Sequence, residues 1–220
     1  MASSSCLSLC KCATTPPLHL TTNTTSSVCG DQSSGKSSVL EAITEIPFPR
    51  KENLCTRFAT EIILRRSPTS TISITITPDK LRPKQEQTKL KSFNKSIQDF
   101  EQLPEVIEEA TAAMGLGVVG SINSRAFSRD VLSVQIDGPD RPQLTLVDLP
   151  GLIHSTNKAQ TEADKELILN LVKEYMNNER TIILAVVSAK NDFANQIVLD
   201  HARKADKTGK STEILCQSRR

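Results

Sequence analysis

Alternation of hydrophobic and polar residues predicts several β-strands in this chain. From Thr71 to Thr77, isoleucine occupies every second position and hydroxyl residues fill the others, which is typical of a half-buried strand. The run TIILAVV at residues 181–187 is continuously apolar and favours a strand buried on both faces of a parallel sheet. Further strands are predicted at residues 59–65, 131–136 and 144–147.

Apolar residues that recur every three or four positions predict amphipathic helices between these strands. Pro104 suits the first turn of one helix, and Gly115 can end it. The buried face of that helix is predicted to carry Val106, Ile107, Ala110 and Ala113. Other helices are predicted at residues 37–44, 164–176 and 195–205. Strands that alternate with helices predict an α/β fold.

Composition excludes some classes of protein. The 220 residues are 37% hydrophobic, which is enough for a core, and the net charge of +2 is too small to indicate a nucleic-acid or membrane partner by itself. Six Phe, one Tyr and no Trp offer few stacking surfaces, so no nucleic-acid partner is expected. No stretch of eighteen apolar residues occurs, so no transmembrane helix is predicted.

Two polar segments carry weaker signals. Residues 1–27 are rich in Ser and Thr, lack acidic residues and predict a disordered segment, with an organelle-targeting peptide as the alternative. The basic segment 80–95 predicts a solvated loop or the start of an exposed helix, with contact to anionic lipid as the alternative.

The six cysteines, at positions 6, 10, 12, 29, 55 and 216, form no CxxC pair. They are predicted to be free thiols in a reducing compartment, and a zinc site is the weaker alternative. A cytoplasmic location follows as an expectation.

The segment Gly30 to Ser37 (GDQSSGKS) fits the pattern GxxxxGK[ST], and a predicted helix follows at once. Glycines at these positions let several main-chain N–H groups point at one anion, and the helix N-terminus adds partial positive charge. Lys36 is predicted to reach the β- and γ-phosphates, and the Ser37 hydroxyl to ligate magnesium. A chance turn rich in Gly and Ser is the alternative for this motif alone.

A second motif, DLPG at residues 148–151, follows the strand predicted at 144–147. Asp148 stands where P-loop proteins hold magnesium through water, and Gly151 can offer its N–H to a γ-phosphate. DxxG alone is equally typical of a turn, but its pairing with the P-loop strengthens it. Thr56, between the motifs, is a candidate for the mobile threonine that caps magnesium, although an exposed loop threonine is the default interpretation.

Four blocks of sequence, in order, resemble the GTPase domain of dynamin-like large GTPases, notably the fungal type. They are GDQSSGKSSVLEAI, PFPRKENLCTRFATEIILRR, LTLVDLPGLI and TIILAVVSAKNDFANQ. The resemblance covers about residues 28–208 and implies a three-layer α/β P-loop GTPase fold. It implies GTP and Mg²⁺ as ligands, GTP hydrolysis as the reaction, and membrane remodelling as the role of the assembled multidomain protein.

By this resemblance, Gln32 would orient the attacking water and Ser33 would help to hold a monovalent cation, Na⁺ or K⁺, that replaces an arginine finger. Thr56 would ligate magnesium and fix the water through its carbonyl, and Gly151 would sense the γ-phosphate. The resemblance also implies a homodimer through the GTPase domain and peripheral association with membranes or the cytoskeleton. The nucleotide site would comprise Gly30, Asp31, Gln32, Ser33, Ser34, Gly35, Lys36, Ser37, Ser38, Asp148 and Gly151.

Two departures from the family pattern predict an incomplete domain, truncated at both ends. Residues 24–28 (TTSSV) lack the apolar run expected of the strand that leads into the P-loop, and no guanine-reading TKxD occurs in the chain. The predicted organisation is a disordered segment at 1–27, a partial GTPase domain at 28–208 and an unstructured tail at 209–220. Two alternatives stay open: a non-catalytic or interfering nucleotide-binding fragment without base specificity, and a P-loop ATPase.

Overall fold

A computed structural model describes residues 25–46, 56–117, 125–153, 161–189 and 196–217. This part of the chain folds into an eight-stranded sheet with helices on both faces. The strands are β1 (Thr25–Gly30), β2 (Ala59–Arg66), β3 (Thr71–Thr77), β4 (Asn94–Ile97), β5 (Val131–Gly138), β6 (Leu144–Asp148), β7 (Thr181–Ser188) and β8 (Thr212–Gln217). The helices are α1 (Lys36–Thr44), α2 (Lys84–Lys91), α3 (Leu103–Ala113), α4 (Glu162–Met176) and α5 (Ile197–Ala205).

The strand order β4-β3-β5-β2-β6-β1-β7-β8 places β1 near the middle of the sheet. β1 is parallel to both β6 and β7, and β7 is parallel to β8. The carboxyl ends of these four strands therefore share one edge, where open α/β sheets bind their ligands. β2 runs antiparallel to β6 and parallel to β5, so the sheet is mixed.

The core consists of two hydrophobic clusters on opposite faces of the sheet. Successive residues of β6 divide between them, since Leu146 joins one cluster and Val147 the other. Leu40 of α1 packs into the first cluster together with residues of α3, and Ile168 of α4 packs into the second together with residues of α5. These three layers confirm the predicted α/β P-loop fold.

The prediction that the strand before the P-loop is missing was wrong. Thr25–Gly30 forms β1, which pairs with β6 on one side and with β7 on the other. Ser26 and Ser27 are buried within it. Main-chain pairing on both sides holds these small residues in the sheet, and the Ser27 hydroxyl accepts a weak hydrogen bond from the Cys29 thiol. The described domain thus begins earlier than the predicted boundary at residue 28.

The prediction of an unstructured tail at 209–220 was also wrong for residues 212–217, which form β8 beside β7. The apolar residues of this strand are consecutive and polar residues flank them, so no alternating pattern predicts it from the sequence. Segment 80–95, predicted as a loop or helix start, contains α2 and the first two residues of the edge strand β4.

Helix α3 begins at Leu103 as predicted, but Ala113 is exposed rather than buried. Met114 is fully buried instead. At about 3.6 residues per turn, the position four after Ala110 lies over it better than the position three after. None of the described helices combines the length and hydropathy needed to cross a bilayer. The predictions for residues 1–24 fall outside the described residues.

Candidate functional site

The loop between β1 and α1 curls around the side chain of Lys36. Its ammonium group donates hydrogen bonds to the main-chain carbonyls of Gly30, at 3.3 Å, and Asp31, at 3.1 Å. Gly35 has φ of 97°, a left-handed conformation that glycine adopts at little cost, directly before the first residue of α1. The loop therefore delivers the N-terminus of α1, with its partial positive charge, to the carboxyl edge of the sheet.

Position 30 requires glycine because of close packing around it, not because of its φ angle. A Cβ atom there would collide with the main-chain oxygen of Val186 in β7 and would lie 2.6 Å from Ser34 Oγ. Neither neighbour is the end of a long flexible side chain, so β1 or β7 would have to move. The first P-loop glycine thus lets β7 approach the loop.

We expect Gly30→Ala to destabilise the fold by about 2–3 kcal/mol, the usual cost of overpacking a rigid core. The measurement is urea unfolding of both chains. Gly138→Ala is the matched control, because its Cβ would meet the flexible Arg141 side chain, 3.2 Å away at Cγ, and Ser70 Oγ at an ordinary contact distance of 3.7 Å. Equal unfolding midpoints for the two variants would contradict this account of Gly30.

Asp148 ends β6 with a buried carboxylate whose two oxygens differ in environment. Oδ2 accepts a hydrogen bond of 3.2 Å from the Thr56 hydroxyl. Oδ1 is buried without a hydrogen-bond partner among the described residues. Burial raises the pKa of Asp148 to about 6, and the charge of Lys36 and the Thr56 hydrogen bond only partly oppose this. An unsatisfied buried carboxylate oxygen is a suitable donor to a hard cation such as Mg²⁺ or to its water.

The DxxG segment packs directly on the P-loop. The main-chain N–H of Gln32 donates to the Leu152 carbonyl at 3.2 Å, and the Leu152 N–H donates to the Gly30 carbonyl at 3.1 Å. A Cβ at Gly151 would lie 2.8 Å from Gln32 Cα and 3.0 Å from Lys36 Nζ. Glycine at position 151 therefore allows the two motifs to touch.

The structure brings the sequence-predicted site residues to one edge of the sheet. Gln32, Ser33 and Ser37 have exposed side chains, accessible to a ligand, and Ser33 is strained at φ of 63°. Ser34 is buried, and its hydroxyl has no hydrogen-bond partner among the described residues. The roles of these residues stay predictions. The members of the cluster are Gly30, Asp31, Gln32, Ser33, Ser34, Gly35, Lys36, Ser37, Ser38, Thr56, Asp148 and Gly151.

Two residues near the site were not singled out from the sequence. Arg57, next to Thr56, is buried and hydrogen-bonds main-chain carbonyls. Gln217 at the end of β8 presses its side-chain amide against Gly35, where a Cβ would collide with it. The only sequence signal for Arg57 is its adjacency to Thr56, and Gln217 has none.

The cysteines within the described residues, Cys29 and Cys216, are free thiols, as predicted. Burial raises the pKa of Cys29 to about 12, so this thiol is inert. The other four cysteines lie outside the described residues, and so does the zinc alternative for the cluster at positions 6, 10 and 12.

Comparison with known proteins shows a similarity across nearly the whole described chain. A model of the dynamin family matches residues 27–218. Dynamin-related protein 4C from Arabidopsis thaliana is 35% identical over 186 residues, which are 84% of this chain and 25% of that protein. Interferon-induced GTP-binding protein Mx1 from Ictalurus punctatus is 33% identical over 186 residues, 84% of this chain and 27% of that protein. The chain thus spans about a quarter of the length of these relatives. The first of these relatives is from a plant and the second from a fish, and the fungal type stays a prediction.

Proposed function

This chain belongs to the dynamin family, and from that membership we propose that it binds GTP with Mg²⁺ and hydrolyses it at the carboxyl edge of the sheet. The main observation behind this proposal is that residues from three separate segments meet around one P-loop. They are Lys36, Thr56, Asp148 and Gly151. Two phosphate-handling motifs in contact make a stronger case than either motif alone.

Binding would use the positive end of the loop. Lys36 Nζ, which bonds the loop carbonyls of Gly30 and Asp31, would turn to the β- and γ-phosphate oxygens. Main-chain N–H groups of the loop and the N-terminus of α1 would hold the remaining phosphate charge, except those of Ser34 and Ser38, which donate to the Asp31 and Gly35 carbonyls. Gly151 would offer its N–H to the γ-phosphate from the opposite side.

Three oxygen-bearing side chains would hold Mg²⁺: Ser37, Thr56 and Asp148. The partnerless Asp148 Oδ1 supports this assignment, because a buried acceptor without a donor is costly unless a ligand satisfies it. When bound, Mg²⁺ neutralises charge that develops on the phosphate oxygens.

Hydrolysis would proceed by attack of a water oxygen on the γ-phosphorus, with cleavage of the bond to the GDP oxygen. The enzyme's part is positioning and charge stabilisation. Gln32 would orient the water by its exposed amide, and the Thr56 carbonyl would fix it. Ser33 would help to place a monovalent cation, Na⁺ or K⁺, near the leaving oxygen, as the family resemblance implies.

We expect Gln32→Ala to lower kcat for GTP by about tenfold to a hundredfold while changing the affinity for GDP little, because the residue would act on water and not on the bound phosphates. Phosphate release and binding of a fluorescent GDP analogue measure the two quantities. Gln85→Ala, an exposed glutamine on α2, is the control for the substitution itself. A Gln32→Ala chain that lost GDP affinity but kept its turnover at saturating GTP would contradict this role.

The second candidate is a P-loop NTPase without guanine preference, because the P-loop and DxxG residues would contact phosphates that ATP and GTP share. Competition of GTP and ATP for the site, with turnover of each, separates the two candidates. Preference for GTP of a hundredfold or more would support the GTPase; about equal use of both would support the NTPase. Binding of either without turnover would indicate a non-catalytic fragment.

The wider roles in this proposal rest on the family alone. They are a homodimer through the GTPase domain and peripheral association, in the cytoplasm, with membranes or the cytoskeleton for remodelling. Light scattering of the chain with GDP and fluoroaluminate would test the dimer, because such complexes imitate the transition state of phosphoryl transfer.

A further inference from the structure

Arg57 follows Thr56 directly, and its side chain is hydrogen-bonded to the connection between α3 and β5. Its Nε donates to the carbonyl of Ala126 at 2.6 Å. Its two terminal nitrogens donate to the carbonyls of Gly117, at 2.7 Å, and Arg125, at 2.6 Å. One planar guanidinium thus holds both described ends of this connection, a geometry that a lysine ammonium cannot reproduce.

The main chain of Arg57 takes part in the same contact. Its carbonyl accepts a hydrogen bond of 2.9 Å from the Ser128 N–H, and the residue is only 6% exposed. No carboxylate among the described residues pairs with this guanidinium, and its described hydrogen-bond partners are all main-chain carbonyls. Burial of an unpaired charge is costly, and the three short bonds offset that cost only when the carbonyls stay in place.

Arg82 shows what a purely architectural arginine looks like in this fold. It is also largely buried, but it pairs with the fully buried carboxylate of Asp130 and with Glu86, and it also bonds the Met114 carbonyl. Neither Arg82 nor its partners contact Thr56 or Asp148 in the hydrogen bonds described. Asp130 also accepts a hydrogen bond from the Ser128 hydroxyl, and the Ser128 N–H donates to the Arg57 carbonyl, so the two arginines are linked through one network.

We propose that Arg57 is a positioning residue, which holds Thr56 in place against Asp148 by clamping the adjoining backbone to the α3–β5 connection. Thr56 directly precedes Arg57, and its hydroxyl donates to Asp148 Oδ2 at 3.2 Å, so the clamp and this bond hold two adjacent residues. Without the clamp, the Thr56 carbonyl and hydroxyl would lose the fixed geometry that acting on water and Mg²⁺ requires. The effect on turnover rests on the proposed GTP hydrolysis, whereas the clamp itself does not.

The first experiment measures the clamp without any nucleotide. Hydrogen exchange of the full chain is compared between wild type, Arg57→Lys and Arg57→Gln, in peptides that cover residues 56–59 and 126–128. We expect both variants to exchange about tenfold faster there, because at least two charge-assisted bonds are lost. Strand β3 is the internal reference and should be unchanged.

The second experiment measures turnover and asks whether Arg57 acts through Thr56. Arg57→Lys should lower kcat for GTP about tenfold and change the affinity for GDP less than about threefold. In a Thr56→Ala background, which removes the hydroxyl but keeps the carbonyl, the same change should have a smaller further effect on kcat, which is the non-additivity expected of two residues in one unit. Ile74→Val, which removes one buried methyl group from β3 and touches none of these hydrogen bonds, should lower the melting temperature but leave kcat within about twofold of wild type.

Each outcome decides the proposal. Unchanged exchange at residues 56–59 in the Arg57 variants would overturn it, whatever the turnover. A kcat loss in Ile74→Val equal to that in Arg57→Lys, or full additivity with Thr56→Ala, would overturn it by showing a general loss of stability. Variants that do not fold would also overturn it, because Arg57 would then be a residue of the core. A wild-type chain without GTP turnover would refute the proposed function, and the exchange data would still judge the clamp.

Discussion

Replacement of Lys36 by Ala is expected to lower the affinity of the chain for GTP by about a hundredfold or more. Lys36 Nζ lies over the loop, within hydrogen-bond distance of the Gly30 and Asp31 carbonyls, where phosphate oxygens would displace these weaker partners. A hydrogen bond to a charged group is worth roughly 1.5–3 kcal/mol, and two phosphate oxygens would be lost as partners together. Titration with a fluorescent GTP analogue measures the affinity.

The control for this variant is Lys84→Ala, which removes an exposed lysine from α2. It should leave the affinity within about twofold, since exposed charges at a distance are largely screened. A Lys36→Ala chain that bound the analogue as tightly as wild type would refute the phosphate site. The variant should also raise the pKa of Asp148 further, because the charge of Lys36 is one of the two groups that lower it.

How far the sequence predicts the fold depends on what holds each element in place. β3 is predicted to the residue, Thr71–Thr77, because its isoleucines, all on the buried face, alternate with Ser and Thr on the more exposed face. β1 escapes the same reasoning because Ser26 and Ser27 are buried by main-chain pairing on both sides of the strand. Side-chain hydropathy cannot report pairing of that kind, since it depends on strands far away along the chain.

The candidate site divides in the same way. The P-loop and DxxG residues are predictable because phosphate chemistry requires particular residue types at fixed spacing. The contact between Thr56 and Asp148 joins residues 92 positions apart, and no local pattern encodes it. The sequence does not predict the Arg57 clamp for a different reason. The described partners of its side chain are main-chain carbonyls, which every residue type carries. Gly151 was predicted as a phosphate sensor, and its packing against Gln32 adds a steric requirement for glycine.

Asp148→Asn is expected to have opposite effects on stability and on turnover. The pKa of this carboxyl is about 6 in the folded chain, against 3.8 for an ordinary aspartate. Ionisation is thus harder in the folded state than in the unfolded state, and the charged form destabilises the fold. This destabilisation is absent below about pH 4, grows as the pH rises towards 6 and is complete above that value.

The difference of about two pKa units corresponds to at most about 3 kcal/mol near pH 7. Asparagine keeps an acceptor for the Thr56 hydroxyl but carries no charge. In the absence of Mg²⁺, we therefore expect the variant to melt at a higher temperature than wild type at about pH 7 and at nearly the same temperature at about pH 4. Thermal unfolding across this range measures the effect, and Asp140→Asn, on an exposed turn, controls for the loss of one negative charge.

With Mg²⁺ and GTP present, wild type should perform better than Asp148→Asn. The wild-type carboxylate would gain a cation for its partnerless Oδ1, whereas the neutral amide cannot, so GTP turnover should fall by about a hundredfold or more in Asp148→Asn. Stabilisation of wild type by Mg²⁺ and nucleotide should also weaken as the pH falls through 6, because protons compete for the same oxygen. A variant less stable than wild type near pH 7 without Mg²⁺ would show that Asp148 is satisfied within the protein. A variant that gained stability without losing turnover would show that Asp148 does not bind magnesium. Only a higher melting temperature together with a loss of turnover identifies Asp148 as a carboxylate that destabilises the empty fold and is kept to bind the cation.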